Sequence, residues 1–182
     1  MRAFLGIPVP DDVKDKLFTL TEDLKGDYRG SWVKKDNYHI TILFLGEIRK
    51  EFADDYSYQI EKVLDSTPPF DVALSGFSCF PSKKRPRVLF AGLSEGYEMC
   101  RSVYLQAAAV LPEKMQPENH KFRAHVTLAR FNRHQPVIHD EVWRRNFMLT
   151  YKADSCVLYR SVLEREGAVY TPVSVINFNG AL

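Results

Sequence analysis

The sequence has little cysteine and no long apolar run. Its three cysteines, Cys79, Cys100 and Cys156, lie far apart and form no C-x-x-C pair, which argues against a thiolate zinc site. Reduced thiols are typical of a cytoplasmic protein. No apolar stretch approaches the roughly 18 residues of a membrane span, and the apolar N-terminal run is too short for a signal peptide. We therefore expect a cytoplasmic protein with no membrane partner.

A large excess of charge of either sign is also absent. The net charge is +2 at pH 7 over 182 residues, which is too small to attract nucleic acid in bulk. An anionic partner must therefore be bound by a local site. In contrast, 45% of the residues are hydrophobic, so the chain can build a substantial core. The length is typical of one compact domain or two small lobes, and we expect a monomer.

Apolar periodicity divides the chain into strands and helices. Strands are predicted at residues 2–9, 38–45, 70–80, 88–93 and 122–131, with two more on either side of a turn near Gly167. Helices are predicted from residue 11 to a stop at Gly26, at about 51–64 and at about 97–111, with a weaker pattern at 136–147. A basic turn at residues 81–87 either steers RNA phosphates or is a solvated loop.

A repeat with an offset of 86 residues organises the sequence. His39 aligns with His125, and Thr41 aligns with Thr127 without a gap. The upstream strand keeps the same register, which places the phrase FLGI against FAGL. The alternative is that the two sequences match by chance. This is improbable, because a strand, a helix and a His-x-Thr sequence all match in the same register. The pattern therefore indicates a strand–helix–strand unit that is used twice.

The repeat predicts how the chain is divided. Its two units cover about residues 2–46 and 88–131 within a single bilobal domain of residues 1–182. Two lobes that are built alike are related by a pseudo-two-fold axis, and their matching strands can lie side by side across a groove. Each histidine then faces its counterpart.

Each His-x-Thr strand presents one imidazole and one hydroxyl to the same face, because residues i and i+2 share a face of a strand. His39 therefore accompanies Thr41, and His125 accompanies Thr127. Imidazole has a pKa near 6.5, so one ring can be neutral and the other charged at neutral pH. Two such rings suit proton transfer at both ends of one bond, which points to displacement at phosphorus without a metal.

Other interpretations of the two histidines stay open at this point. Each can be an ordinary strand histidine whose hydrogen bonds are satisfied. A metal site is less favoured, because His39 and His125 have no carboxylate or thiolate at ligand spacing. His120, His134 and His139 have no partner in the repeat, and we expect them at the surface or in loops.

Five phrases carry a family resemblance. They are MRAFLGI, WVKKDNYHITILFLGEI, RPRVLFAGL, FRAHVTLAR and LYRSVLEREGAVYTPV. In this order, they make the chain similar to the two-histidine (2H) phosphoesterase superfamily, and within it to the RNA 2′,3′-cyclic phosphodiesterases, also known as 2′-5′ RNA ligases. The resemblance implies an α+β, bilobal, pseudo-two-fold fold, with two mostly antiparallel sheets around a central cleft and helices outside.

The resemblance also implies an activity and its residues. RNA or small nucleotides with a 2′,3′-cyclic phosphate would be hydrolysed to a 2′-phosphate without metal or other cofactor, and the reverse reaction would be a 2′-5′ ligation. His39 would be the proton donor to the leaving ribose oxygen, and His125 would be the proton acceptor that activates water. Thr41 and Thr127 would hold phosphate oxygens. The alternative is a nucleotide- or RNA-binding module on the same scaffold with weak or no catalysis.

Arg130 is the residue at which the family pattern and strand geometry disagree. The family's second motif often continues to an arginine that neutralises phosphate, and Arg130 matches it. However, Arg130 is three residues after Thr127, so a regular strand points it the other way. A bulge or the length of the side chain must bring it round; otherwise it is a surface or structural ion pair.

The sequence also departs from the family pattern. Ala124 precedes the second histidine where the family often has proline, and Leu43 stands where a lysine is frequent, which removes a cationic contact to substrate. Tyr38 and Phe131 flank the two motifs. They are predicted either to stack on a base or, as the simpler alternative, to pack in the core.

Overall fold

The computed structural model describes residues 1–112, 115, 122–131, 137–165 and 167–180 of the chain. Within these ranges the strands are β1 (Arg2–Pro8), β2 (Ser31–Trp32), β3 (His39–Glu47), β4 (Phe70–Ser82), β5 (Arg85–Glu95), β6 (Val126–Arg130), β7 (Met148–Ala153), β8 (Ser155–Glu164) and β9 (Gly167–Asn177). The helices are α1 (Asp11–Asp27), α2 (Ala53–Leu64), α3 (Tyr97–Ala109) and α4 (Asp140–Trp143), and short 3₁₀ helices cover Lys35–Asn37 and Lys50–Phe52. The predicted α+β class is confirmed.

The strands form one curled antiparallel sheet in the order β7-β4-β5-β6-β3-β1-β8-β9, and β2 pairs with β6. Its two halves, β7-β4-β5-β6 and β3-β1-β8-β9, meet where Ile40 of β3 pairs with Val126 of β6. The two predicted sheets are therefore joined along this edge. His39 and His125 each precede one member of the pair, so the junction brings the two histidines to one place.

The predicted elements are found with a few differences. β6 begins at Val126 and not at residue 122, and α1 continues through Gly26 to Asp27. The weak helix prediction at residues 136–147 begins outside the described ranges. Within the described part of this segment, the helix is the four-residue α4. Sequence periodicity missed β7, because this short edge strand is defined by its long-range pairing with β4.

The pairing register refines the predicted repeat. Gly6 lies opposite Thr41 in the first half of the sheet, and Phe90 lies opposite Thr127 in the second half. The pairing thus equates Gly6 with Phe90, whereas the ungapped alignment matched Gly6 with Gly92. β3 and β6 themselves keep the offset of 86 residues. The division of the chain into two repeated units stays a prediction.

The helices connect the two halves of the sheet. α1 contacts β7 of the second half, whereas α3 contacts β3 of the first half. On its inner face, α1 buries Val13, Leu17 and Leu24. None of the helices in the described ranges has the length and apolarity that a membrane crossing requires. Because the helices cross over, both halves share one hydrophobic core.

Ile40 offers a test of the junction, since its side chain is fully buried there. We expect Ile40→Ala to lower the free energy of unfolding by about 2–5 kcal/mol, because it removes apolar contacts and leaves a cavity. Urea denaturation followed by circular dichroism measures the loss. Leu105→Ala, on the outer part of α3, is the control and should change stability by less than about 1 kcal/mol. Equal losses in the two variants would contradict the importance of the junction.

Candidate active site

A cleft of about 580 Å³ opens over the β3–β6 junction. It is lined by all five residues that the sequence singled out, namely His39, Thr41, His125, Thr127 and Arg130. Its other walls come from β1, β4, β5, the segment before β3 and the β8–β9 hairpin. The volume lies in the usual range for small-molecule sites. The sheet junction therefore assembles one site from sequences that are far apart in the chain.

A bulge in β6 turns Arg130 toward the cleft. Thr127 and Ala129 lie opposite consecutive residues of β5, so Leu128 is an extra residue without a partner there. Bulges of this kind re-aim the side chains that follow them. Leu128 and Ala129 are both buried, and the next side chain, Arg130, is exposed and lines the cleft. This bulge resolves the conflict between strand parity and the family pattern.

β3 contains the same irregularity at the equivalent position. Thr41 and Leu43 lie opposite consecutive residues of β1, which leaves Ile42 as the extra residue. The following side chain, Phe44, is 64% exposed and lines the cleft. Phe44 is thus the counterpart of Arg130: one half of the site presents a flat aromatic ring where the other half presents a cation.

Hydrogen bonds fix the orientation of His39. Its Nδ1–H donates to the backbone carbonyl of Asn37 at 2.7 Å, and its Nε2 lies 2.9 Å from Thr41 Oγ1. The Asn37 side chain donates in turn to the carbonyl of Ala168 at 2.7 Å, which ties this segment to β9. Because Nδ1 is engaged, Nε2 is the nitrogen that is available to exchange a proton at the site.

Aromatic rings surround the His39 imidazole. Phe4 stacks on it with a centroid distance of 4.7 Å, and Tyr170 meets it edge-on at 5.3 Å. Tyr159 lies 6.0 Å away. Gly6 makes this packing feasible, because a Cβ at that position would lie 3.1 Å from His39 Cδ2. The ring is therefore held in a largely apolar environment.

His125 is held in a similar way. Its Nδ1–H donates to the backbone carbonyl of Arg123 at 2.6 Å, again two residues upstream. Phe80 meets the ring edge-on with a centroid distance of 5.1 Å, and Phe90 lies 5.0 Å away. The two histidines thus share one tautomer and one kind of surrounding, and Nε2 of each is the ring nitrogen that no backbone carbonyl occupies.

Burial lowers the pKa of both imidazoles. Desolvation is the main cause for His39 and brings its pKa to about 4; the hydrogen bond to the Asn37 carbonyl opposes this shift, and nearby positive charges, such as that of Arg130, add to it. The pKa of His125 is also lowered by desolvation, and Arg130 adds to the effect. Both rings are therefore neutral at pH 7 in the free protein. The sequence led us to expect that one ring could be charged at neutral pH. The aromatic rings around each imidazole, which we call its aromatic cage, exclude more water than an open cleft would and so favour the neutral form.

The cleft is electrostatically suited to an anion. Arg2 and Arg130 line it, and the described residues of its wall include no aspartate or glutamate. Among the described residues, no group of three or more His, Cys, Asp or Glu side chains is placed to hold a metal ion.

Tyr38 and Phe131 were predicted either to stack on a base or to pack in the core. Both side chains are buried in the core.

Sequence reasoning missed the aromatic residues of the cages. Phe4, Phe80, Tyr159 and Tyr170 come from four different strands, and each reaches a histidine only through sheet pairing. The bulges, however, left a local signal. Each His-x-Thr is followed by two apolar residues in succession, which breaks the alternation of a half-buried strand.

Comparisons with known proteins identify the family. The family model for LigT-like phosphoesterases matches residues 7–90. A Thermus thermophilus protein named RNA 2′,3′-cyclic phosphodiesterase is 30% identical over 191 residues, which cover 99% of this chain and 91% of that protein. The chain belongs to the LigT-like phosphoesterase family. An Aquifex aeolicus protein of the same name is 28% identical over 185 residues, covering 99% of this chain and 98% of the relative.

Solved structures agree with this family membership. A crystal structure from Thermus thermophilus has a TM-score of 0.82 at 29% identity, and the match covers 99% of each chain. LigT of E. coli in complex with ATP has a TM-score of 0.74 at 21% identity over 97% of each chain, which is a likeness of fold alone. The family and fold that the two His-x-Thr sequences suggested are confirmed.

The lowered pKa of His39 can be measured directly. We expect its imidazole to stay neutral down to about pH 5 in an NMR titration of the free protein, because its pKa is about 4. Inorganic phosphate should raise this pKa, since an anion in the cleft stabilises the charged ring. His139, which is exposed and lies outside the cleft, serves as the internal reference. A His39 pKa at or above 6.5 without phosphate would contradict the described cage.

Proposed function

We propose that this chain is a metal-independent cyclic phosphodiesterase, which hydrolyses the 2′,3′-cyclic phosphate of RNA ends or small nucleotides to a 2′-phosphate. The observation that carries the proposal is that His39, Thr41, His125 and Thr127 line one cleft. Relatives named RNA 2′,3′-cyclic phosphodiesterase, which match nearly the whole chain, support the choice of substrate.

Proton transfer is assigned to the two histidines. Water attacks the phosphorus from the side of His125 and gives a proton to Nε2 of that ring. The bond between phosphorus and the ribose O3′ breaks, and His39 gives its Nε2 proton to this leaving oxygen. The direction, with His39 as acid and His125 as base, follows the family resemblance. Exchange of protons with solvent restores both rings.

The pKa values bear on how His39 becomes an acid. In the free protein it is neutral at pH 7, so it must gain a proton before it can donate one. The negative charge of a bound cyclic phosphate favours that protonation. The substrate thus supplies the electrostatic condition for its own cleavage.

The remaining site residues are assigned to the phosphate. Thr41 and Thr127 have hydroxyls that can donate to the nonbridging oxygens as these gain charge. Arg130 reaches the cleft through the β6 bulge and can neutralise the phosphate. Run in reverse, the same site would join a cyclic phosphate end to a 5′-hydroxyl through a 2′-5′ linkage.

Single substitutions of the histidines test the reaction. With 2′,3′-cyclic AMP in EDTA, we expect the protein to release 2′-AMP, and His39→Ala or His125→Ala to lower kcat at least about 100-fold, because each loses one proton transfer. Product analysis by chromatography measures this. His139→Ala, outside the cleft, is the matched control. Unchanged turnover in either cleft variant would remove the assignment, and tight nucleotide binding without turnover would favour the binding-module alternative.

The pH dependence of kcat/KM follows from the lowered pKa values. Activity requires charged His39 and neutral His125, and both pKa values lie below 6.5 in the free protein. We therefore expect a bell-shaped profile of kcat/KM with its maximum below pH 6.5. The maximum of kcat should lie at higher pH, because bound phosphate raises the pKa of His39. A kcat/KM that still rises between about pH 6.5 and 9 would argue against paired imidazoles.

Arg130 has its own test. Arg130→Ala should lower kcat/KM for 2′,3′-cyclic AMP by about 10–100-fold, since it removes a charge-assisted hydrogen bond to phosphate. Arg130→Lys should recover part of the loss, because it restores the charge but not the two-pronged geometry. Arg101→Ala on α3 changes the net charge equally, away from the cleft. If Arg130→Ala and Arg101→Ala behave alike, Arg130 is not a phosphate ligand.

A further inference from the structure

The cleft continues past the reacting centre along β1, and the proposed hydrolysis uses only one end of it. The His39 ring lies over Gly6, where a Cβ would be 3.1 Å from His39 Cδ2. Arg2 is four residues from Gly6 on the same face of β1, and it lines the same cleft. At the usual rise of a strand, about 13–14 Å of backbone separate the two positions. The cleft is therefore longer than the cyclic phosphate alone.

Two hydroxyl side chains lie beside Arg2. Ser161 of β8 is paired with Arg2, and Tyr170 of β9 is paired with Ser161. Residues that pair directly across antiparallel strands face the same side of the sheet, with Cβ atoms about 4.5–5.5 Å apart. All three side chains line the cleft. We call Arg2, Ser161 and Tyr170 the distal row.

The distal row presents hydrogen-bond donors and a positive charge. A guanidinium and two hydroxyls can all donate to an anion. Burial raises the pKa of the Tyr170 phenol, and the charges of Arg130 and Arg2 oppose this shift. Within the described ranges, no carboxylate forms an ion pair with Arg2. Glu47, its pairing partner on β3, has its carboxylate 3.6 Å from the amino group of Met1. The guanidinium is therefore available to an anion.

Aromatic rings form the floor between the distal row and His39. Phe4, midway between Gly6 and Arg2 on β1, stacks on the imidazole with a centroid distance of 4.7 Å. Phe44 lies 6.2 Å from Phe4 and is 64% exposed. A phosphate is not stabilised over such a floor, because burying a charge without a partner costs free energy. An anion at the distal row is therefore separate from the one at the histidines.

The geometry of the proposed reaction places the nucleoside on the side of the distal row. O3′ leaves toward His39, and the attacking and leaving oxygens are roughly in line at phosphorus. The ribose carries O3′, so it lies on the His39 side, in the half of the cleft that β1, β8 and β9 form. Its 5′ substituent is attached at C4′, outside the ring of the cyclic phosphate, and extends further into that half.

The other half of the sheet has a different residue at the equivalent position. Strand pairing equates Gly6 with Phe90. The position equivalent to Arg2, four residues before Phe90, is therefore Pro86. Of the two equivalent positions, the one on the side of the leaving nucleoside carries the cation.

We propose that the distal row binds a second phosphate, which is the 5′-phosphate of the nucleotide whose 2′,3′-cyclic phosphate reacts. The inference rests on the proposed function and adds a specificity for the 5′ side of the substrate. The guanidinium of Arg2 binds two nonbridging oxygens of this phosphate, and the hydroxyls of Ser161 and Tyr170 donate to the same group. The 5′-phosphate is either a terminal monoester or the phosphodiester to the preceding nucleotide of an RNA, since both present these oxygens.

Selectivity between substrates tests the distal row. Adenosine 2′,3′-cyclic phosphate is compared with the same compound carrying a 5′-phosphate and with adenylyl-adenosine that ends in a 2′,3′-cyclic phosphate. We expect kcat/KM for at least one of the two 5′-phosphorylated substrates to be at least about tenfold higher, because charge-assisted hydrogen bonds are gained. Arg2→Ala should remove this advantage, and Arg2→Lys should keep part of it. An advantage of the dinucleotide alone identifies an RNA end as the source, and an advantage of the mononucleotide alone identifies a small nucleotide.

Two other arginines separate this effect from general electrostatics. Arg130→Ala, at the reacting phosphate, should lower kcat/KM for all three substrates by a similar factor and keep their ratio. Arg85→Ala removes the same charge at the basic turn, outside the described lining of the cleft, and should also keep the ratio. Three outcomes overturn the proposal: no advantage of a 5′-phosphate in the unsubstituted protein, an equal fall for all substrates in Arg2→Ala, or a loss of the advantage in Arg85→Ala as well.

A binding measurement is independent of turnover. In isothermal titration calorimetry, adenosine 2′,5′-bisphosphate should bind at least about tenfold more tightly than adenosine 2′-phosphate, and Arg2→Ala should abolish the difference. Equal affinities in the unsubstituted protein overturn the proposal. If that protein consumes none of the cyclic substrates, the proposed hydrolysis fails, whereas the two affinities still decide whether a second phosphate is bound.

Discussion

The antiparallel pair of Ile40 and Val126 is the contact on which the rest of the structure depends. Both side chains are fully buried, so the neighbouring histidines must face the opposite side of the sheet, where the cleft lies. The position of each imidazole is thus a consequence of how the core packs. A site built on paired strands holds its reactive groups more firmly than one built on loops.

The two halves of the site match at their histidines and threonines but differ at the positions beside them. Both have a histidine, a threonine and a bulge, but Gly6 stands opposite Thr41 where Phe90 stands opposite Thr127. After the bulges, one half presents Phe44 and the other presents Arg130. The two bulges therefore present different side chains to the same cleft, a ring from β3 and a cation from β6. Such a difference is what a pair of identical imidazoles requires if one is to act as acid and the other as base.

Local patterns in the sequence were enough for the family, the fold class, the main elements and the residues that meet in the cleft. They failed where long-range pairing decides the outcome. β7 is a strand because β4 pairs with it, and Tyr159 and Tyr170 reach His39 only through the sheet. The lowered pKa of His39 could not be predicted either, because it depends on aromatic neighbours from several strands. The sequence showed only that Arg130 needs a bulge, or the length of its side chain, to reach the cleft; it did not show that the bulge exists.

The aromatic cages make the charge state of the site depend on its ligand. With both imidazoles neutral, the described lining of the cleft carries positive charge only at Arg2 and Arg130. In the proposed reaction, these arginines attract the phosphate, and the charge of the bound phosphate stabilises protonated His39. A neutral molecule would not bring about this protonation, however well it fitted. In the proposed reaction, the burial of His39 therefore favours phosphate over neutral esters, in addition to any contact with the arginines.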